Sequence, residues 1–301
     1  NSHGQLSSGP TLSEARDAYI KLKGFGKDKT FIRGASRNVD FVIKHLGDKP
    51  IDGYSSADAA ALRDAMLDKG LCIASVKRNF STIRSIINLS ITEQGLDCRN
   101  AFARTYMPEE RRDGRLPIPI ECIRIIQNDC EAMNDDLRWI VALLSDTGMR
   151  LGEAVGLAKS DIVIHSEIPY IHLSPHPWRR LKTKGSERFI PLVGSALWAA
   201  ERAVQSSTTD FLFPRYCDST ECKSNSASAA LNKWLSPRVP KNCVIHSFRH
   251  SFRDRLRAVE CPKEITDRLG GWATDGVGET YGVGYTLSVL EKWMRRAFIQ
   301  V

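Results

Sequence analysis

The stretch MPEERRDGRLPIP, residues 107–119, divides the chain into two unlike halves. Its three prolines and Gly114 oppose helix and strand, and its six charged side chains keep it in water. It reads as a linker and as the domain boundary.

Upstream, apolar residues recur only at helical spacing. Thr11 or Ser13 can cap a first helix whose apolar positions Ala15, Ala18, Tyr19 and Leu22 recur at helical spacing. A second, over about 30–46, turns Phe31, Ala35, Val39, Val42 and Ile43 inward and stops at Gly47 and Pro50. Ser55 with Asp58 has the spacing of a capping box for a third helix ending at Gly70. Ser75 is the expected cap of a fourth, with Val76, Phe80, Ile83, Ile87 and Leu89 on one face.

Downstream the pattern is mixed. Helices are expected over 120–133, 136–145, from 196, and over 247–259, 263–269 and 287–298. Alternating or β-branched runs at 161–164, 170–173 and 187–192 predict short antiparallel strands, with Lys184-Gly185-Ser186 as a hairpin turn. The expected architecture is mainly α with a small antiparallel sheet. An all-helical domain covers 11–106, the linker 107–119, and an α+β domain 120–301 ends in a helix. Residues 1–10 are small, polar and Gly/Ser-rich, and read as a tag remnant or disordered.

Two domains also suit the length of 301 residues. No apolar run is long enough for a membrane and no signal-peptide pattern is present, which predicts a cytoplasmic protein with no membrane partner. The formal charge of +8 favours a polyanion, nucleic acid first. Lys77, Arg78 and Arg84, on the fourth helix, are the candidate phosphate contacts there. The eight cysteines are scattered, several inside helical patterns, as reduced thiols are. Cys217 and Cys222 form the one close pair in a loop-like stretch. With no second pair or nearby His to complete a zinc site, no metal is expected.

Four short stretches in the second half carry chemistry. They are residues 146–153 (DTGMRLGE), 181–188 (LKTKGSER), 246–250 (HSFRH), and Gly270-Gly271-Trp272 followed by Tyr281. Singly each is weak, because His-x-x-Arg merely shares a helix face and a Trp is usually core. In this order they resemble the catalytic pattern of the tyrosine recombinases of the phage-integrase type: Arg, Lys, His-x-x-Arg, His or Trp, then Tyr. The resemblance covers about 137–285, and the four-helix first half resembles the family's core-binding domain in architecture.

The chemistry requires these residue types. A phosphodiester under attack gathers negative charge on its non-bridging oxygens, and planar guanidinium groups match them with paired hydrogen bonds; hence Arg150 and Arg249. Trp272 Nε1–H or His246 can add a donor. The Tyr281 phenol, with a free pKa near 10, must lose its proton as it attacks, and His246 or the surrounding cations can assist. A hairpin lysine is the expected acid for the leaving 5′-oxygen. Lys182-Thr183 resembles the integrase form and Lys184-Gly185 the Xer form; Lys182 is preferred, with Lys184 on a DNA phosphate. Glu153, three residues after Arg150, can pair with it on a helix. His250 reads as a bystander.

The resemblance implies a bacterial site-specific recombinase that integrates or excises a mobile element. It would cut and rejoin duplex DNA through a 3′-phosphotyrosine, without metal, ATP or other cofactor. It would assemble as a homo-tetramer on DNA, with accessory bending or directionality proteins as possible partners. Where many members have Leu-Gly-His, this chain has Gly270-Gly271-Trp272, as in Cre-type members. Two other readings share these features: a type IB topoisomerase relaxing supercoils, and a DNA-binding protein that has lost catalysis. The complete Arg-Lys-His-Arg-Trp-Tyr set favours the recombinase. An apolar stripe at Leu287, Leu290, Trp293, Met294, Ala297 and Phe298 fits docking either on the chain's own core or on a neighbouring protomer.

Overall fold

The computed structural model describes residues 9–27, 29–109, 114–272 and 284–299. Tyr281 and the side chain of Lys184 lie outside them. The chain forms two compact units, Asn1–Arg112 and Asp113–Val301.

The first unit is a bundle of α1 (Leu12–Lys23), α2 (Lys29–Leu46), α3 (Ser56–Asp68) and α4 (Ile73–Gln94). Thr11, not Ser13, caps α1: its hydroxyl accepts from Glu14 N while the Glu14 carboxylate accepts from Thr11 N at 2.8 Å. Ser13 instead donates to Asp48. Ser55 and Asp58 form the second capping box. α4 starts earlier than the sequence suggests, with Cys72 at the cap and Ser75 in the first turn. Leu12, Val39, Val42, Leu62, Phe80 and Ile83 pack as a dry core. Phe102, from the segment after α4, plugs it: Arg84 Nε donates to the Phe102 carbonyl at 2.7 Å.

The second unit gathers α5 (Ile120–Met133), α6 (Asp136–Thr147), α7 (Leu151–Val155), α8 (Gly194–Ser206), α9 (Ser224–Leu235), α10 (Ser247–Ala258), α11 (Lys263–Gly270) and α12 (Leu287–Ala297) around a small sheet. Asp135 caps α6, accepting from Arg138 N at 3.0 Å. Every residue of α6 from Ile140 to Thr147 is buried, so this helix is the axis of the unit. The strands β1 (Ile162–Val163), β2 (Tyr170–Leu173) and β3 (Arg188–Pro191) are antiparallel in the order β1-β2-β3, with Ile171 opposite Ile190 and Leu173 opposite Arg188.

Three features depart from the sequence reading. Residues 116–119 of the expected linker are fastened to the second unit, for Ile118 is buried and its N–H donates to Ser251 Oγ at 2.7 Å. β2 and β3 are joined by residues 174–187 rather than by a tight turn, and Lys184–Ser186 form a single 3-10 turn within that loop. α9 went unread: its serines suggest a loop, although Ala227, Leu231 and Leu235 recur every four residues and are buried. Of the two placements left open for the C-terminal stripe, the structure shows the one on its own unit, with Leu290, Met294 and Ala297 buried and the Ala297 carbonyl accepting from Arg255.

Candidate active site

Gly148 ends α6 at φ +60, a conformation in which other residues are strained. A Cβ there would also run into the ring of Phe252 on α10. The end of α6 therefore lies against α10, and the Gly148 carbonyl accepts from Arg249 Nη1 at 2.7 Å.

Two residues on, Arg150 caps α7. Its guanidinium donates to Glu153 Oε1 (2.6 Å), Ser186 Oγ (3.1 Å) and the Gly271 carbonyl (3.1 Å). One side chain thus ties α7, the β2–β3 loop and the end of α11 together. The pairing of Arg150 with Glu153 follows the three-residue spacing.

Glu153 is buried between two arginines, and the second, Arg188 of β3, was overlooked in the sequence. Its side chain is wholly buried; Nη2 meets Glu153 Oε2 at 3.0 Å, Nε the Leu269 carbonyl at 2.9 Å and Nη1 the Ser186 carbonyl at 2.7 Å. The signal was present: strand alternation puts Arg188 on the same inward face as Ile190, where a charge needs a partner. Burial alone would push the Glu153 carboxyl up. The Arg188 charge and the hydrogen bonds from Arg150 and Arg188 outweigh it and hold the carboxyl below its ordinary range. Glu153 is therefore a fixed anion that orients both guanidiniums.

On α10, Arg249 is buried and its pKa is pushed down to about 9, by burial first and then by the charges of Arg150 and Arg188. It remains a cation at neutral pH. Its Nη2 is buried without a hydrogen-bond partner among the described residues. Its guanidinium stacks 4.4 Å from the Trp272 ring centre, and Arg253 lies over the same ring at 4.9 Å. Trp272 thus serves as a platform for the arginine.

His246 sits at the N-terminal end of α10, with His250 edge-on at 5.5 Å. Burial, then the charges of Arg115, His250, Arg249 and Arg150, push its pKa down to about 4, so its ring is neutral at pH 7 and can accept a proton or hydrogen bond.

Lys182 is exposed on the β2–β3 loop. Thr183 N and Oγ1 meet Ser186 Oγ at 3.3 and 2.9 Å, and Ser186 accepts from Arg150. The turn that carries the lysines is therefore tied to the first arginine.

In the first unit, Lys77 and Arg78 are exposed on α4, whereas Arg84 is committed to the Phe102 carbonyl and lies over the Phe80 ring. That engagement leaves Arg84 less available to DNA than its sequence position suggested. Among the described residues, no cluster of His, Cys, Asp and Glu could hold a metal and no helix is long and apolar enough to cross a membrane.

The structure thus brings Arg150, Arg249, His246 and Trp272 together, with the loop that carries Lys182 tied to Arg150 through Ser186. Residues 121–282 match the model of the phage integrase family, and the chain belongs to that family. Solved structures share its fold. The Tn1549 transposon integrase in complex with a circular intermediate DNA is 18% identical, over 95% of this chain and 99% of that one, at a TM-score of 0.68. A lambda integrase dimer bound to a COC′ core site is 17% identical over 92% and 98%, at 0.66. A lambda integrase tetramer bound to a Holliday junction is 18% identical over 91% and 77%, also at 0.66. A comparison with curated protein sequences gave no match.

Proposed function

We propose that the chain is a site-specific DNA recombinase that cuts and rejoins duplex DNA through a 3′-phosphotyrosine on Tyr281. The observation that carries this reading is Arg249 Nη2, a buried donor unpartnered among the described residues, set beside the clamped Arg150. An unsatisfied buried guanidinium N–H is costly, and an anionic phosphate oxygen is the ligand that would satisfy it.

In this scheme Arg150 and Arg249 hold the non-bridging oxygens as charge builds. Trp272 supports Arg249 through its ring face, and its Nε1–H is a further donor to the phosphate. Tyr281 Oη attacks phosphorus while His246, neutral at pH 7, takes its proton. The P–O5′ bond breaks and Lys182 protonates the departing oxygen. The reverse attack by a second DNA end restores a phosphodiester and frees Tyr281, so bond energy is conserved without ATP. Glu153 orients Arg150, and Lys77 and Arg78 of the helical unit contact DNA phosphate, as does Lys184. Four protomers act on two duplexes, a reading supported by the lambda integrase tetramer bound to a Holliday junction, and the role is integration or excision of a mobile element.

Incubation with a nicked half-site tests the reading. The wild-type chain should accumulate a covalent protein–DNA adduct, and Tyr281→Phe should lose it while still binding DNA. An adduct that persists in Tyr281→Phe and vanishes in Tyr285→Phe would move the nucleophile by four residues. Sulfur at the 5′-bridging position, which leaves without a proton, should rescue Lys182→Ala; rescue of Lys184→Ala instead would reverse the assignment of the acid.

A further inference from the structure

The cysteine pair in the loop before α9 has no part in the phosphoryl chemistry. Cys217 and Cys222 are free thiols that face each other across an isolated antiparallel bridge. The hydrogen bonds flank them rather than join them: Asp218 N donates to the Glu221 carbonyl at 3.1 Å and Lys223 N to the Tyr216 carbonyl at 2.7 Å. They are thus a non-hydrogen-bonded pair, in which Cα atoms sit about 4.5 Å apart and side chains come closest. A disulfide spans Cα separations of about 4.4–6.8 Å, so the pair fits at the short end.

We propose that Cys217 and Cys222 form a reversible intrachain disulfide that acts on α7, the helix that follows Arg150.

The two sulfurs have different environments. Cys222 is half-buried, and the thiol of Cys217 can donate to its sulfur or to the Asp218 carbonyl at 3.9 Å. That donation first, and then the charge of Arg179, favour the Cys222 thiolate; the same hydrogen bond, and then burial, push the Cys217 thiol up. Cys222 is accordingly the attacking thiolate. With a low-molecular-weight disulfide as oxidant, Cys222 sulfur bonds to one oxidant sulfur and expels the other as a thiolate. Cys217 then loses its proton to solvent, attacks Cys222 sulfur and expels the second thiol. Two protein thiols become one disulfide, and the oxidant disulfide becomes two thiols.

The link to α7 is direct. In the thiol form Cys222 Sγ lies 3.9 Å from the Gly152 carbonyl, and a Cβ on Gly152 would meet Ser224 Cβ at 3.8 Å. A helix of five residues cannot stand alone and takes its position from such neighbours. Oxidation removes the S–H donor from Gly152 O and turns Cys222 towards Cys217. Glu153, which holds Arg150, is the next residue. The effect on DNA cleavage rests on the recombinase reading; the disulfide does not.

Arg215 and Lys223 bracket the pair, so trypsin releases both cysteines in one peptide, residues 216–223. After treatment of the full chain with oxidised glutathione and alkylation, that peptide should lose two hydrogen masses and take up no alkyl group. Dithiothreitol should reverse this, and Cys217→Ser should abolish it. Amide exchange in α7 should speed up several-fold on oxidation in the wild type and not in Cys217→Ser, and formation of the Tyr281 adduct should slow by a similar factor. A peptide that remains doubly alkylated, pairs with another cysteine, or becomes oxidised with α7 exchange unchanged overturns the proposal. A reduced protein that forms no adduct counts against the recombinase reading alone, since the peptide mass and α7 exchange need no DNA.

Discussion

The two units are built on opposite terms. Among the described residues, the helical unit buries only Asn38 and Ser90 as polar side chains. The second unit buries Arg138, Asp146, Glu153, Asp161, Arg179, Arg188, Arg249, Arg255 and Asp267. A dry core gains stability from apolar area, and its details are forgiving. Buried charge gives up much of that gain to desolvation and returns it only if each partner is in place. The second unit therefore spends stability on position; on the proposed function, chemistry at phosphorus is what needs it and DNA binding by the helical unit does not.

Breaking one member of the buried network should have the largest effect. Arg188→Met leaves Glu153 with one partner, and removal of one side of a buried pair costs about 3–5 kcal/mol. Calorimetry should show the second unit melting much lower while the helical unit melts as before. Adding Glu153→Gln should restore part of the loss, because the stranded charge goes with it. Equal falls in both transitions would mean that the cores are not separate.

Phe80→Ala is the mirror experiment. It should cost the helical unit about 3–5 kcal/mol through lost burial and a cavity. Adduct formation on a short half-site at saturating DNA should hardly change, whereas a matching loss of chemistry would tie the bundle to the reaction.

Arg249→Ala sharpens the contrast further. Loss of a charge-stabilising donor is worth about 2.7–4 kcal/mol in comparable sites, so cleavage should slow about a hundred- to a thousand-fold with DNA affinity falling far less. Loss of affinity in the same proportion would make Arg249 a mere anchor.

His246 offers a subtler probe. Its folded pKa of about 4 lies below the ordinary 6.5, so between these values the unfolded chain holds a proton that the folded one refuses. Its contribution to stability is present above about pH 6.5 and is lost as pH falls towards 4. His246→Gln should flatten that limb in melts at pH 7 and 5. In an NMR titration, bound DNA should move the His246 midpoint upwards, since a phosphate favours the imidazolium. A midpoint near 6.5 in the free chain would contradict the buried setting. Smallest of all, Lys77→Ala should weaken DNA binding uniformly and reduce the salt slope by about one, with no change in adduct chemistry.

Where structure follows from local rules, it was legible. The Thr11 and Ser55 caps, the apolar faces of α2 and α4 and the Arg150–Glu153 spacing all act within a few residues. What was missed depends on partners far along the chain. Arg188 has meaning only beside Glu153 and Leu269, and the β2–β3 loop is anchored by Arg179, buried against the distant Asp161. Arg84 carries the formal signature of a DNA contact until Phe102, from another segment, takes its Nε–H. α9 was hidden by its serines, although its buried alanine and leucines were evenly spaced.

Gly270 lies directly against the Trp272 ring. A side chain there would occupy the volume already filled by the six-membered ring of Trp272. The two positions therefore compete for one space, and a Leu-Gly-His triplet would fill from position 270 what Gly-Gly-Trp fills from position 272. This predicts epistasis: Gly270→Leu alone should be overpacked, Trp272→His alone should leave a hole beneath Arg249, and the pair together should be milder than the sum. Residue 272 cannot then drift between tryptophan and histidine by single steps without passing through a poorer protein. In this chain the aromatic on which Arg249 rests has its place because position 270, two residues before it, carries no side chain.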